Sequence, residues 1–194
     1  MKSFRTNNVI IRKFEMEDLE DIHYNILTQE EVIDMANEKI YNDLNESRIV
    51  LKSAMNEYYT DEPVWAVEDK KEKRLVGFIR ITNYSAKNRK CNLTWAVANR
   101  YWNSYFMEDA LIKVIRFLFV KKNIDLIESS FYEQNKISSI ILENIGMTKE
   151  AILRERRINE KTHQKEDFVI YSINRNEFFE KIENKLEICE IGSL

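Results

Sequence analysis

The chain has 194 residues, of which 44% are hydrophobic and 32% charged, and its formal net charge is −3. That length fits one domain or one domain with an extension, and the composition can bury a core. It also excludes several classes: no apolar run approaches the ~18 residues that cross a bilayer, no basic stripe points to nucleic acid, and Cys91 and Cys189 are too few and too separated for a disulfide scaffold or a zinc site.

The N-terminal residues lack the apolar stretch of a signal peptide, so a cytoplasmic protein without a membrane or nucleic-acid partner and without a metal is expected. Three glycines and one proline in the whole chain mean that loops are built from Asn, Asp, Lys and Ser. In chain order, Val9 to Lys13 reads as a strand. A helix follows from about Glu17 to Leu27, with Leu19, Ile22 and Ile26 on one face. Further helices are expected over Glu30 to Tyr41 and Leu44 to Tyr59, and Pro63 closes this helical region because a residue before proline is pushed out of the helical conformation.

From Val64 the pattern changes. Val64 to Val67 and Arg74 to Ile81 flank the charged turn Asp69 to Lys73 as a hairpin, and Asn92 to Val97 adds a third strand. Then come a helix over Phe106 to Lys121, a strand over Asp125 to Phe131 and a helix over Lys136 to Ile145. Gly146 stands where a helix end calls for a left-handed residue. Ala151 to Asn159 and Asp167 to Ile173 read as two long antiparallel strands, and Asn176 to Glu187 as an amphipathic helix carrying Phe178, Phe179, Ile182 and Leu186.

The stretch from Arg100 to Ala110 carries the chemistry. A strand runs into it and a helix runs out, so free backbone N–H groups and the positive end of a helix dipole are aimed at one spot. That arrangement holds a pyrophosphate, and it usually places glycine where backbone meets ligand. Asn103 and Tyr105 stand there instead. Asparagine visits left-handed conformations readily, so Asn103 is expected to keep the turn; the bulky Tyr105 is expected to hinder the ligand. The aromatics Tyr101, Trp102 and Tyr105 also suit plain packing. Asn135 to Ser138 has the chemistry of a helix N-cap. His23 and His163 are isolated and read as surface or satisfied core residues, and Cys91 as a buried small residue.

With this element order and these residues the chain resembles the GNAT acetyltransferase superfamily over about residues 8 to 174, and within it the branch of the ribosomal-protein N-terminal alanine acetyltransferases. Arg100 matches the first position of that family's cofactor loop, Tyr101 and Trp102 its aromatic pair, and Phe106, Ala110 and Leu111 the following helix. Asn135, Ser138, Gly146 and Met147 resemble a second family signature, Arg12 its opening Leu-Arg pair, and Asp167 the acidic residue before its last strand. The resemblance implies an α/β protein with the GNAT acyl-CoA N-acyltransferase fold, a central mixed, mostly antiparallel sheet flanked by helices. Residues 1–175 form the acetyltransferase domain on this reading, and 176–194 a C-terminal helical tail.

It further implies acetyl-CoA as acyl donor and an amine as acceptor. The donor lies along the backbone of Trp95, Ala96 and Val97, on the loop Arg100, Tyr101, Trp102, Asn103, Ser104, Tyr105 and Phe106, and beside Asn135 and Ser138. By the same resemblance Ser138 protonates the leaving thiolate and Asn135 positions the pantetheine or the amine. Asn92 occupies the place of the usual glutamate base; it can orient water but not take a proton, which leaves Glu133 and Asp167 as substitutes. Two readings stand: an N-acetyltransferase acting on a protein N-terminus or a small primary amine, and a GNAT-fold binding or regulatory protein with weakened or lost catalysis. A monomer fits either, as does a homodimer formed through the hairpin Ala151 to Ile173 and the tail.

Overall fold

The computed structural model describes residues 3–36, 39–158 and 163–183. Strands β1 (Phe4–Arg5) and β2 (Val9–Arg12) precede helices α1 (Leu19–Ile22), α2 (Glu30–Ala36) and α3 (Leu44–Glu57). Strands β3 (Val64–Asp69), β4 (Leu75–Ser85) and β5 (Lys90–Val97) form a meander, followed by α4 (Phe106–Lys121), β6 (Leu126–Tyr132) and α5 (Lys136–Asn144). Strands β7 (Thr148–Ile158) and β8 (Lys165–Asn174) lead into α6 (Arg175–Phe178). The strands make one sheet in the order β1-β2-β3-β4-β5-β6-β8-β7, eight strands among the described residues. Every neighbouring pair is antiparallel except β5 with β6. A parallel pair needs a crossover, and α4 supplies it.

The two faces of the sheet are covered by different helices. On β3, Trp65 is fully buried and meets Phe117 of α4 with ring centroids 6.5 Å apart. Val64, one residue earlier and so on the opposite face, lies with Val50 and Ala54 of α3 around a shared cavity. Both faces being covered explains why Val64 to Val67 is buried without a break rather than alternating. Helix α4 turns Met107, Ala110, Leu111, Val114, Ile115 and Leu118 inward at helical spacing. Phe178 of α6 is buried against Phe119 at 5.5 Å between ring centroids, and Ile182 lies against Gly146. No helix among the described residues is long and apolar enough to cross a membrane.

Several expected boundaries move. The helix expected over 17–27 is a tight 3-10 turn at Met16–Asp18, then α1, then a wide π turn at His23–Leu27. The His23 carbonyl accepts from both the N–H and the hydroxyl of Thr28, each at 3.0 Å, and this sets the wide turn. The helix expected to Tyr41 reaches Ala36, and residues 39–43 are not helical. The tail helix is described only to residue 183, so Leu186 lies outside the described residues. Gly146 takes the left-handed conformation its place demands, φ 81°.

Near the start of the sheet Arg12 of β2 holds two acidic side chains. Its guanidinium meets both oxygens of Asp18, at 2.7 and 2.8 Å, and Glu68 of β3 at 2.6 Å. Burial opposes its charge, but the two carboxylates more than offset this and hold it protonated.

Candidate active site

The site begins where two strands part. β5 and β6 pair in parallel only over residues 90–92 with 126–128, although β5 continues to Val97 and β6 to Tyr132. Beyond that point they splay. At the crotch the Ser129 hydroxyl donates to the Leu93 carbonyl at 2.9 Å, where the neighbouring strand's N–H would otherwise stand. At the far end the Trp102 indole N–H donates to the Val97 carbonyl at 2.9 Å. Both carbonyls therefore face away from β4, whereas the Ala98 N–H turns toward it and reaches the Val76 carbonyl at 2.9 Å. The two-residue period of a strand then places the Trp95 N–H and C=O on the open edge.

Gly77 shapes this edge from behind. A Cβ there would lie 2.0 Å from the Ala96 carbonyl oxygen, so only glycine admits this approach of β4 to β5. Gly77 and Ser129 are site-shaping residues that motif reading passed over. The available signal was a glycine inside an apolar strand, one of three glycines in the chain.

Inside the fork lies a cleft of about 260 Å³ counted to its open mouth, lined by Trp95, Ala96, Val97, Trp102, Asn135 and Ser138, with Val32 and Ile137 at its sides. Asn135 is the N-cap of α5: its side-chain oxygen accepts the Ser138 N–H at 2.9 Å. The capping geometry expected for this pair is present, and it also fixes where Ser138 stands. The Ser138 side chain is buried and lines the cleft. The structure thus brings together Trp95, Ala96, Val97, Trp102, Asn135 and Ser138 from three separate stretches of sequence.

The turn after β5 departs from expectation at Asn103. Asn103 does not take a left-handed conformation; the non-glycine residues that do are Lys73, Asn83, Arg89, Asn123, Glu155 and His163, all outside this turn. The turn follows a path that any residue adopts, starting with a 3-10 turn at Asn99–Tyr101, so the missing glycines cost it no backbone strain. Tyr105 is 72% exposed. Tyr105 is the N-cap of α4 and makes no side-chain cap, so the first-turn amides at Phe106 face outward without one. Ser104 folds back instead, its hydroxyl donating to the Tyr101 carbonyl at 2.7 Å.

Arg100 and Tyr101 tie the turn to the β3–β4 hairpin. Arg100 pairs with Glu72 and sits 4.9 Å from the Tyr101 ring centroid. Tyr101 is buried with its hydroxyl 3.4 Å from Asp69, and burial pushes its phenol up to about 12. Two carboxylates occupy the first turn of α4. Asp109 accepts from Asn8 at 2.6 Å. Glu108 is 7% exposed; one oxygen takes the Asn144 amide at 3.3 Å and the other has no hydrogen-bond partner in the described structure, and burial raises its pKa.

No carboxylate lines the cleft among the described residues. Asn92 lies at the crotch in register with Glu128, which pairs with Lys90 at 3.0 Å. Asn92 stands three positions before Trp95, roughly 10 Å along the strand. Glu133 pairs with Lys149 at 3.7 Å, and Asp167 accepts the Glu155 N–H at 2.9 Å, which supports the left-handed residue of a bulge in β7. His23 is a satisfied core residue, its Nδ1 2.8 Å from the Ser47 hydroxyl. Cys91 is fully buried, which pushes its thiol up to about 12 and removes it as a nucleophile.

This geometry has known counterparts. The chain is 24% identical over 91 residues to YoaA of Bacillus subtilis (strain 168), described as an uncharacterized N-acetyltransferase, a match covering 47% of this chain and 51% of that protein. It therefore spans about half the length of that relative. The fold superposes on spermidine N-acetyltransferase from Vibrio cholerae, solved with CoA and spermine, at a TM-score of 0.75 and 19% identity over 90% of this chain and 99% of the other. Ribosomal-protein-S5-alanine acetyltransferase from Vibrio fischeri superposes at 0.74 and 16% identity, over 92% and 99%. These likenesses show the GNAT fold and include the branch the sequence resembles. The family profile for the acetyltransferase (GNAT) domain matches residues 8–148, most of the chain, and with the splayed β5–β6 fork this places the protein in the GNAT acetyltransferase family.

Proposed function

We propose that the fork transfers an acetyl group from acetyl coenzyme A directly to a primary amine, on a protein N-terminus or a small molecule. The observation that carries this reading is the convergence at one cleft of the open β5 edge, Trp102 of the turn that leads to α4, and the Ser138 side chain at the start of α5. The residues fit the donor. The free edge groups of Trp95 match an amide-bearing pantetheine arm, and the first-turn amides of α4 match a pyrophosphate.

The donor supplies the acetyl group as a thioester. The C–N bond forms as the C–S bond breaks, the sulfur takes a proton and the amine gives one up. An open-edge N–H of β5 supports the carbonyl oxygen as negative charge grows on it. Ser138 Oγ stands where it can hand a proton to the sulfur, held there by the Asn135 cap. With no carboxylate in the cleft, the amine arrives already neutral; an α-amine has a pKa near ~8, so a fair fraction is neutral at physiological pH.

Calorimetry and thermal unfolding with acetyl-CoA test the reading. Ligand that binds only the folded state stabilises it, by about 2.7 kcal/mol at a hundredfold excess over Kd. Heat of binding and a raised Tm are expected. Neither effect at millimolar acetyl-CoA sinks the proposal.

A further inference from the structure

Helix α4 carries a buried carboxylate in its own first turn. The Asp109 N–H donates to the Tyr105 carbonyl at 3.0 Å, so the N–H groups of Phe106, Met107 and Glu108 come earlier and have no carbonyl inside the helix. Glu108 is the third residue of α4, and helical side chains lean toward the N-terminus. Its carboxylate therefore shares the positive end of the helix with any anion that those amides hold. The residue is 7% exposed, so water and salt screen it weakly from such an anion.

The surroundings of Glu108 do little to keep it charged. One oxygen takes the Asn144 amide of α5 at 3.3 Å, a long hydrogen bond, and the other has no partner in the described structure. Burial raises its pKa against the smaller effects of its own backbone N–H and of Asn144, and the like charge of Asp109 adds to the rise. Charged groups on the neighbouring elements are engaged with other partners. Asp109 accepts from Asn8 at 2.6 Å, Glu143 of α5 accepts from the Tyr171 hydroxyl at 2.8 Å, and Lys181 reaches the Gly146 carbonyl at 3.5 Å. On the strands packed against α4, Arg12 holds Asp18 and Glu68; in the β3–β4 hairpin Asp69 accepts the Lys71 N–H at 2.8 Å and Glu72 pairs with Arg100.

A neutral carboxyl group leaves the helix end to a phosphate, whereas a carboxylate repels it. We infer that Glu108 sets donor affinity through its proton: acetyl-CoA binds more tightly to the protein in which Glu108 is neutral, and binding draws a proton onto Glu108. This inference rests on the acyl-transfer reading above, which assigns the pyrophosphate to these amides, and adds the residue that tunes that contact. The bound anion favours the neutral form further. Affinity is therefore highest below the range in which Glu108 titrates in the free protein, falls as pH rises through it, and levels off once Glu108 stays charged with donor bound.

The test titrates the full chain and Glu108→Gln with coenzyme A and with 3′-dephospho-coenzyme A by calorimetry between pH 5 and pH 8. Glutamine is neutral throughout and keeps an acceptor for Asn144. The dephospho form retains the pyrophosphate but lacks the 3′-phosphate, which itself titrates near ~6. The variant is expected to bind both ligands about tenfold more tightly than the parent near pH 8 and equally near pH 5, the effect of one charge at a helix end. Repeated in buffers of different ionisation enthalpy, the parent is expected to take up more of a proton with the dephospho form than the variant does. A ratio of affinities that stays constant with pH, or equal proton uptake by the two proteins, overturns the inference and leaves acyl transfer standing. Should the variant not fold, the parent decides alone: affinity for the dephospho form that does not fall toward pH 8, without proton uptake, overturns the inference. Failure to bind either ligand at any pH removes the underlying reading and this one with it.

Discussion

Ser138 and Glu108 are buried polar residues whose surroundings set opposite expectations. The Ser138 backbone is held by the Asn135 cap while its side chain lines the cleft, so Ser138→Ala leaves the helix intact and removes only the hydroxyl proposed as proton donor. The expected outcome is a kcat lower by about 10²-fold with acetyl-CoA affinity unchanged. An unchanged kcat by steady-state assay would reduce Ser138 to a helix residue. Glu108 instead holds one oxygen in the interior without a hydrogen bond, and burial raises its pKa. The folded state favours its neutral form, so its contribution is fully present below the ordinary carboxylate range and is lost as pH rises through the raised native value. Glu108→Gln keeps an acceptor for Asn144 and removes that loss. Its Tm relative to the parent should be level near pH 4 and higher near pH 8, by about 1 kcal/mol in stability. A gap that does not change with pH would contradict the linkage.

At the scale of elements, the fork depends on how β4 and β5 pass each other. Gly77 lets the Ala96 carbonyl approach, and a methyl group there would meet that oxygen at 2.0 Å. Gly77→Ala must push the strands apart beside the cleft, costing about 1–3 kcal/mol by overpacking. Ile11→Val, a buried change on β2 away from the fork, costs about 1 kcal/mol and serves as the control. The glycine variant should lose acetyl-CoA affinity where the control keeps it. Equal affinities in calorimetry would mean that the close approach serves packing alone. The Ser129 hydroxyl plays the complementary part by capping the Leu93 carbonyl where β6 departs. Buried carbonyls left without partners are costly, so strands that part need such a substitute donor.

For the whole molecule the notable feature is the absence of a carboxylate from the cleft among the described residues, while the acids that stood as substitute bases are held elsewhere. Glu133 is held by Lys149, Glu128 by Lys90, and Asp167 by the Glu155 amide. The titrating group that governs acyl transfer is then the acceptor's own amine. kcat/KM should rise tenfold per pH unit and level off at the pKa of whichever amine is used, near ~8 for an α-amine. Acceptors of different basicity should shift the plateau accordingly. A plateau at one pH for every acceptor would reveal a base on the protein.

The sequence by itself determined the element order, the left-handed Gly146 after α5, the Asn135 cap and the assembly of one mixed sheet. These follow from periodicity, capping chemistry and two motif blocks, all of which act over a few residues. It misjudged the loop after β5. The left-handed conformation expected at Asn103 was inferred from residue type, but a backbone path depends on neighbours far away in sequence. Arg100 and Tyr101 are drawn toward Glu72 and Asp69, about thirty residues earlier. Only the tertiary structure decided that β5 and β6 part after three pairs and that Gly77 and Ser129 shape the parting. The physical reason is that local propensity fixes what each segment becomes, whereas a site is a meeting of segments whose distances are set by packing.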